Sequence, residues 1–265
     1  MVFPQLSERE KSFPHPPPRV IFGLFIAVAL LQFPVGFMMR GFSPTLGILI
    51  NELGIFLALP LMGIWLAGYT PRHLLPFSRS TPQYLLAAIV LILGTSITLS
   101  YIRHVSEMVS PTNDIMRMPA EQQLMATSSF DFFAKLLILC VLVPICEEIF
   151  FRGIIQRTFS RYVGKQYAVL ITAVFFAFMH SSSWHPHLYF LLGLTLSWIS
   201  ARTRTLSTPI LCHMVNNTFA LLTAVYGIRF PIKVPFGMMD IITLEAALGM
   251  ILLGIWLLNR SKRHG

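Results

Sequence analysis

The sequence predicts an all-α membrane protein, a bundle of about eight transmembrane helices with a polar cavity, and three observations support this fold class. Hydrophobic residues make up 55% of the 265 residues and charged residues only 12%, which is unlike an ordinary soluble domain. Apolar runs of about 20 residues, the length that a helix needs to cross a bilayer, recur along the whole chain. The Lys and Arg residues cluster at the ends of these runs, as topology signals do.

The positive charge of the chain fits a membrane surface better than a nucleic acid. The net charge is +9 at pH 7, but the basic residues are divided among short polar stretches and form no continuous basic patch. We therefore expect contact with the lipid bilayer and none with nucleic acid. Three cysteines, Cys140, Cys146 and Cys212, lie inside apolar runs, which predicts free thiols in packed helices.

The predicted elements follow a polar N-terminal segment, residues 1–18, which contains five prolines and mixed charge. The next apolar run is too long for a signal peptide, and no small-residue cleavage pattern follows it, so we predict a permanent helix. Seven further runs predict seven more helices. The predicted spans are about 20–39, 46–69, 84–102, 132–156, 167–180, 188–201, 209–226 and 238–258.

Two polar features stand out among the first spans. The second span contains Asn51 and Glu52, and a lone carboxylate there is interpreted as a partnered contact between helices. Residues 103–131 form the longest polar connection, with a short surface helix predicted over residues 120–126.

The distribution of basic residues predicts the orientation of the bundle. Eight spans place both termini on one side, and the face that holds the termini and the even-numbered loops contains 14 of the 20 Lys and Arg residues, against 6 on the other face. Cytoplasmic loops carry the excess of basic residues. We therefore expect an integral protein of a bacterial inner membrane with both termini in the cytoplasm.

The most informative stretch is residues 144–153, with the sequence Pro-Ile-Cys-Glu-Glu-Ile-Phe-Phe-Arg-Gly. A charged group at the centre of a membrane helix costs about 2.5–3.5 kcal/mol, so the adjacent Glu147 and Glu148 are hard to explain by structure alone. Residues four apart share a helical face, so Glu148 can pair with Arg152 while Glu147 points elsewhere. The alternative is a helix-end ion pair with a spare acid near the headgroups.

Two further polar clusters lie on later helices. Phe176 and His180 lie one turn apart at the end of the fifth span, and His213 and Asn217 lie one turn apart on the seventh. Each cluster alone is a weak signal, because a membrane His or Asn usually bonds to another helix. Three clusters on three helices indicate one site. At 1.5 Å per residue, Glu147 and His180 have compatible depths, whereas His213 lies too near the start of its helix.

These clusters resemble the three motifs of the CPBP family, in the family's order. The motifs are Glu147-Glu148-x-x-x-Arg152, Phe176-x-x-x-His180 and His213-x-x-x-Asn217. The family comprises type II CAAX prenyl proteases and bacteriocin-processing intramembrane proteases, and is also called the Abi family. The resemblance covers about residues 132–226, and the first three spans match by hydrophobicity alone.

The resemblance implies an intramembrane endopeptidase, with an eight-helix fold around a water-filled cavity and a peptide or protein substrate at the membrane. The roles that it implies are Glu147 as general base, His180 as its partner, His213 and Asn217 as the oxyanion site, and Glu148, Arg152 and Phe176 as supporting residues. The chain then divides into a polar segment (1–18), three helices and an extracytoplasmic loop (19–131), a catalytic core (132–226), and a last helix with a basic tail (227–265).

Other functions stay open at this stage. Glu147, His180 and His213 are also a possible Zn²⁺ ligand set with an open water position, although the chain has no His-Glu-x-x-His motif. We expect catalysis without a cofactor, with zinc as the alternative. A transporter or proton relay using Glu52, Glu147, Glu148 and Glu245, or a non-catalytic membrane scaffold or immunity protein, would also account for the membrane carboxylates. A transporter of this kind often shows two matching halves, which are not found.

Overall fold

The computed structural model describes residues 15–39, 44–78, 80–111, 128–180, 185–226 and 237–260. Within these ranges the chain forms eight helices and one short 3-10 turn, Pro71–Leu74. The helices are α1 (Pro18–Met39), α2 (Thr45–Leu66), α3 (Pro82–Val109), α4 (Ser129–Tyr162), α5 (Lys165–Met179), α6 (Pro186–Thr203), α7 (Ser207–Val225) and α8 (Met238–Arg260). The all-α prediction is confirmed for the described residues. The surface helix predicted over 120–126 lies outside them.

Five of the helices are long and apolar enough to cross a membrane, namely α1, α2, α3, α4 and α8. The chain is therefore an integral membrane protein with several spans. Helix α5 is apolar but has only 15 residues, and α6 and α7 carry more polar side chains. The predicted eight-span topology requires α5, α6 and α7 to cross the bilayer as well.

Helix starts explain why two spans are longer than their apolar runs. Helix α3 begins after Thr81, whose side chain accepts from the Tyr84 N–H, and has Pro82 in its first turn. Helix α4 begins after Ser128, whose side chain accepts from the Asp131 N–H at 3.1 Å. Ser and Thr caps of this kind satisfy N–H groups that have no partner within the helix. Capping therefore starts α4 in the polar residues before the predicted boundary.

Wide π-helical turns interrupt α2 and α4. They cover Ile50–Ala58 in α2, and Ile138–Leu142 and Ile149–Gln156 in α4. Pro60 and Pro144 follow two of these turns closely, and a proline lacks the N–H that continues the regular hydrogen-bond ladder. Such turns occur frequently at functional sites. In α4 the π-helical turns flank the two adjacent carboxylates. The sequence analysis did not predict these turns.

Small residues let the outer helices approach closely and leave the polar residues inside. Helix α8 packs along α3, where a Cβ on Gly94 would lie 2.6 Å from the carbonyl oxygen of Ala247 and one on Gly254 would lie 2.7 Å from Leu91 Cβ. Close approach at glycines is a common way for membrane helices to associate. Helices α5 and α6 form a packed pair, α7 contacts α3, α4 and α6, and α2 contacts α4. The interior between α4, α5, α6 and α7 holds the candidate site.

Candidate active site

Glu148 and Arg152 form a buried ion pair along one face of α4. Arg152 Nη1 donates to Glu148 Oε1 at 2.6 Å, and both side chains are 0% exposed. Arg152 Nη2 reaches α6, where it donates to the carbonyl oxygen of Gly193 at 3.2 Å. Breaking a buried pair leaves an uncompensated charge and typically costs about 3–5 kcal/mol. The pair therefore ties α4 to α6 next to the second carboxylate, Glu147.

Phe176 is the aromatic centre of the site. The Arg152 guanidinium carbon lies 4.8 Å from the centroid of its ring, and the ring of His180 lies 4.4 Å away on another side. The ring of His213 contacts it edge-on at 5.9 Å. Gly193 makes room for it, since a Cβ there would lie 3.1 Å from Phe176 Cδ1. Phe176 thus sets the spacing between Arg152 and the two histidines.

Glu147 lies between two imidazoles that belong to other helices. Its Oε1 is 3.5 Å from Nε2 of His180, and its Oε2 is 3.9 Å from Nε2 of His213. The Glu147 side chain is 6% exposed, and Oε2 has no hydrogen-bond partner in the described part of the chain. Both gaps are wider than a typical direct hydrogen bond. Gaps of this width suit a bridging water or a substrate atom.

The far nitrogen of His180 determines which tautomer faces Glu147. Nδ1 of His180 lies 2.8 Å from the carbonyl oxygen of Phe176, and a carbonyl only accepts, so Nδ1 carries a hydrogen. The ring also stacks on Tyr189, with centroids 4.5 Å apart and planes 15° apart. In the neutral ring, Nε2 therefore presents a lone pair toward the carboxylate.

His213 is oriented in the same way, by the second carboxylate. Its Nδ1 donates to Glu148 Oε1 at 2.9 Å, the same oxygen that accepts from Arg152. Nε2 of His213 consequently faces Glu147 and any group bound beside it. The poor depth match expected for His213 does not occur, since its ring lies near both carboxylates. Glu148 thus anchors Arg152 and orients His213.

Asn217 lies one turn further along α7, and its amide is engaged away from Glu147. Its Nδ2 donates to the carbonyl oxygen of Leu139 at 2.9 Å, and its Oδ1 accepts from Asn216 Nδ2 at 3.2 Å. Leu139 belongs to the first π-helical turn of α4. Asn216 accepts from Ser96 Oγ of α3 at 2.8 Å. The structure therefore brings the other predicted site residues together but directs Asn217 to the backbone of α4.

Glu52 on α2 joins the site, although the sequence analysis gave it no catalytic role. It is 4% exposed, and its Oε1 accepts from the side chain of Asn51 at 3.2 Å. The turn of α2 that contains Glu52 packs against the segment of α4 that contains Glu147, and Oε2 of Glu52 also lacks a hydrogen-bond partner among the described residues. The sequence signal for this position was a carboxylate inside an apolar run.

The histidines and carboxylates around Glu147 are also potential metal ligands. Across the described ranges, no group of three His, Cys, Asp or Glu side chains is placed to hold a metal ion. The Zn²⁺ alternative for Glu147, His180 and His213 thus gains no geometric support. Two other histidines near the end of α5 bind α3 instead: His185 Nε2 lies 3.1 Å from Glu107 Oε1, and His187 Nε2 lies 2.9 Å from Ser106 Oγ.

Comparison with known proteins matches one segment of the chain to a family. Residues 129–219 match the family described as type II CAAX prenyl endopeptidase, Rce1-like. The matched segment starts at α4 and ends within α7, so it contains all three polar clusters.

Curated relatives match shorter stretches of the chain. The "Putative membrane peptidase YdiL" of Bacillus subtilis (strain 168) is 35% identical over 86 residues, which are 32% of this chain and 35% of that protein. The "UPF0177 protein YxdF" of Lactococcus lactis subsp. lactis (strain IL1403) is 30% identical over 100 residues, 35% of this chain and 55% of that protein. The chain thus spans about a third of the first relative and about half of the second.

No solved structure matches the chain significantly. The assignment rests instead on the matched segment, on the three motifs inside it, and on a helical membrane fold that brings most of the motif residues together. Residues 129–219 are therefore similar to the Rce1-like family of type II CAAX prenyl endopeptidases.

Proposed function

We propose that this protein is an intramembrane endopeptidase that hydrolyses a peptide bond in a membrane-associated or lipid-linked peptide or protein. Glu147 activates the water, and no metal takes part. The observation that carries the proposal is the position of Glu147, 3.5 Å from His180 Nε2 and 3.9 Å from His213 Nε2. The family match over residues 129–219 supports the reaction class.

The attacking water occupies the gap between Glu147 and His180. It donates one hydrogen to the carboxylate and the other to the lone pair of His180 Nε2, which orients its oxygen toward the scissile carbonyl carbon. Glu147 takes the first proton as the new C–O bond forms and returns it to the leaving amine as the C–N bond breaks. The Phe176 carbonyl keeps His180 in the required tautomer through Nδ1.

The developing oxyanion requires donors on the opposite side of Glu147. His213 Nε2 donates when the ring is protonated, and Glu148, at 2.9 Å from Nδ1, stabilises that imidazolium. Asn217 Nδ2 supplies a second donor after it leaves the carbonyl of Leu139. Removal of one oxyanion donor typically lowers the rate about 10²–10³-fold.

The substrate we propose is a bacterial peptide, leader or membrane-anchored protein whose scissile bond enters the bundle. A peptide inside lipid must satisfy its own backbone groups, so cleavage requires a locally extended segment next to polar side chains. The polar interior between α4, α5, α6 and α7 offers such a place. Comparing the membrane proteome of a Glu147→Gln strain with that of the parent should reveal the uncut precursors.

The direct test is cleavage by purified full-length protein with and without a metal chelator. We expect activity to persist after thorough chelation, and Glu147→Gln to abolish it with near-normal folding. Glu245→Gln is the matched control, because it removes a membrane carboxylate from an exposed position on α8. Activity that is lost on chelation and restored by Zn²⁺ would replace the proposal with a metalloprotease.

A further inference from the structure

A pocket with a basic rim opens where α4 ends and α5 begins, and it shares Arg152 with the site around Glu147. Its volume is about 290 Å³. Its rim carries Arg157, Arg161, Lys165 and Arg204, and its buried floor contains Arg152 and Gln156. Among the described residues that line it, none is an Asp or a Glu.

The rim concentrates positive charge without local compensation. None of its four basic side chains forms an ion pair with a carboxylate within the described ranges. Basic residues that act only as topology signals have to lie near the membrane surface, but they do not have to surround a single pocket. A concave wall of one charge sign focuses the electrostatic potential and attracts a counter-ion.

Arg204 is held on this rim despite an unfavourable backbone conformation. Its φ is 58°, and it is the one described non-glycine residue with a positive φ. It ends α6 at a position where glycine is usual, because a side chain disfavours the left-handed region. Its carbonyl oxygen accepts from Arg157 Nη2 at 3.5 Å. The backbone of Arg204 thus contacts the Arg157 guanidinium, and both residues line the pocket.

The floor contains two buried polar atoms that lack partners. The terminal nitrogens of Arg152 bind Glu148 and Gly193, but its Nε has no partner among the described residues. Gln156 Nε2 donates to the Ser197 carbonyl at 2.8 Å, while its Oε1 is likewise unpaired in that part of the chain. An unmade buried hydrogen bond costs about 1–3 kcal/mol. One atom needs an acceptor and the other needs a donor.

We propose that this pocket binds a phosphate-bearing anion. Phosphate oxygens accept from the four basic side chains of the rim, whereas Arg152 Nε and Gln156 Oε1 lie beneath the accessible surface of the floor. Arginine guanidinium groups suit phosphate well. A volume just below the usual ligand-pocket range of about 300–1,000 Å³ suits a small polar group. The source is either an anionic phospholipid headgroup or soluble phosphate, and this site does not depend on the proposed peptidase activity.

The test uses full-length protein and two probes. Inorganic phosphate is titrated in detergent while thermal unfolding is monitored, because a ligand that binds only the folded state raises the melting temperature. Retention of phosphatidylglycerol against phosphatidylcholine is measured by native mass spectrometry. The pocket variant is Arg161→Gln with Arg204→Gln. The matched control, Arg72→Gln with Arg260→Gln, removes the same charge from the predicted cytoplasmic face outside the pocket.

We expect the pocket variant to bind at least one probe about tenfold or more weakly, with the control unchanged within about threefold. Loss of phosphatidylglycerol alone assigns a lipid headgroup, loss of inorganic phosphate alone assigns a soluble ligand, and loss of both supports a general phosphate site. Equal loss in variant and control, or binding of neither probe by the parent protein, would overturn the proposal. Lys165→Gln, at an exposed position, repeats the comparison if the double variant does not fold.

Discussion

At the scale of single residues, one carboxylate oxygen of the site accepts hydrogen bonds from two other site residues. Glu148 Oε1 accepts from both Arg152 and His213, so one oxygen connects α4 to α7 and, through Arg152, to α6. Glu147 has no comparable partner and faces two imidazoles across wider gaps. The two adjacent carboxylates therefore have different environments, which predicts different mutant phenotypes.

Glu147→Gln should abolish turnover and leave the melting temperature near that of the parent, because the buried charge that it removes has no direct partner. Glu148→Gln should lower both activity and stability, by about 3–5 kcal/mol, because Arg152 is left uncompensated. Arg152→Ala should resemble Glu148→Gln, and the double variant should be less than additive. Cleavage and melting temperature are measured on the same detergent preparations. A folded but inactive Glu148→Gln beside an active Glu147→Gln would reverse the two roles.

The two neighbouring asparagines of α7 allow a second residue-scale comparison. Asn217→Ala should lower kcat about 10²–10³-fold if its amide turns from Leu139 to the oxyanion. Asn216→Ala, the comparison variant, removes the hydrogen bonds with Ser96 and with Asn217 Oδ1 and should cost about 0.6 kcal/mol in stability for each bond. Steady-state kinetics with unfolding curves separate the two. If both variants show the same small loss of stability with full activity, Asn217 is only a contact between helices.

At the scale of helices, the site depends on close approach and on irregular turns. Gly193 of α6 lies against Phe176 of α5 and accepts from Arg152 of α4. The π-helical turns of α4 flank the carboxylate pair, and the first presents the Leu139 carbonyl to Asn217. The positions of the motif residues therefore depend more on these contacts between helices than on the spacing of the residues along each helix.

Gly193→Ala should therefore reduce activity more than stability. The added Cβ would lie 3.1 Å from Phe176 Cδ1, which displaces the ring that spaces Arg152 from the histidines, and we expect kcat to fall about tenfold. The free energy of unfolding should change little, because the helix preference of alanine over glycine, about 1 kcal/mol, offsets the cost of displacing the Phe176 ring. Gly249→Ala is the control, since a Cβ there meets nothing within 4 Å. Equal kinetics for both variants would show that Phe176 tolerates the shift.

At the scale of the whole molecule, topology is the open prediction. The basic residues divide 14 to 6 between the two faces, and this places both termini in the cytoplasm only if α5, α6 and α7 also cross the membrane. Helix α5, with 15 residues, is short for a span. Helix α5 packs against α6 and α4, and backbone at membrane depth is tolerated where it is buried in protein, so a short helix can cross within the bundle.

Reporter fusions test this topology directly. A cytoplasmic reporter at Gly265 and one inserted within residues 110–120 should report opposite sides of the membrane. The charge distribution predicts the cytoplasm for the first and the exterior for the second. The same side for both positions would rule out the eight-span arrangement.

The sequence by itself determined the helices and the residue types of the site. Hydrophobic run length predicts the number and order of the helices because lipid permits only internally bonded backbone, and buried carboxylates are expensive enough that Glu147 and Glu148 stand out in any apolar run. The helix ends were less accurate, since Ser128 starts α4 ahead of its apolar run. The three motifs then indicated a resemblance to one family, and the family match covers the segment that contains them.

Only the tertiary structure decided which polar groups meet. Periodicity describes one helix at a time. It therefore did not show that His213 lies near both carboxylates, that Asn217 binds Leu139, or that the α2 turn of Glu52 packs against the α4 segment of Glu147. Those contacts depend on where Gly193 lets α6 approach Phe176 and on π-helical turns that shift the register of α2 and α4. Both are consequences of packing between distant segments, which a local pattern does not contain.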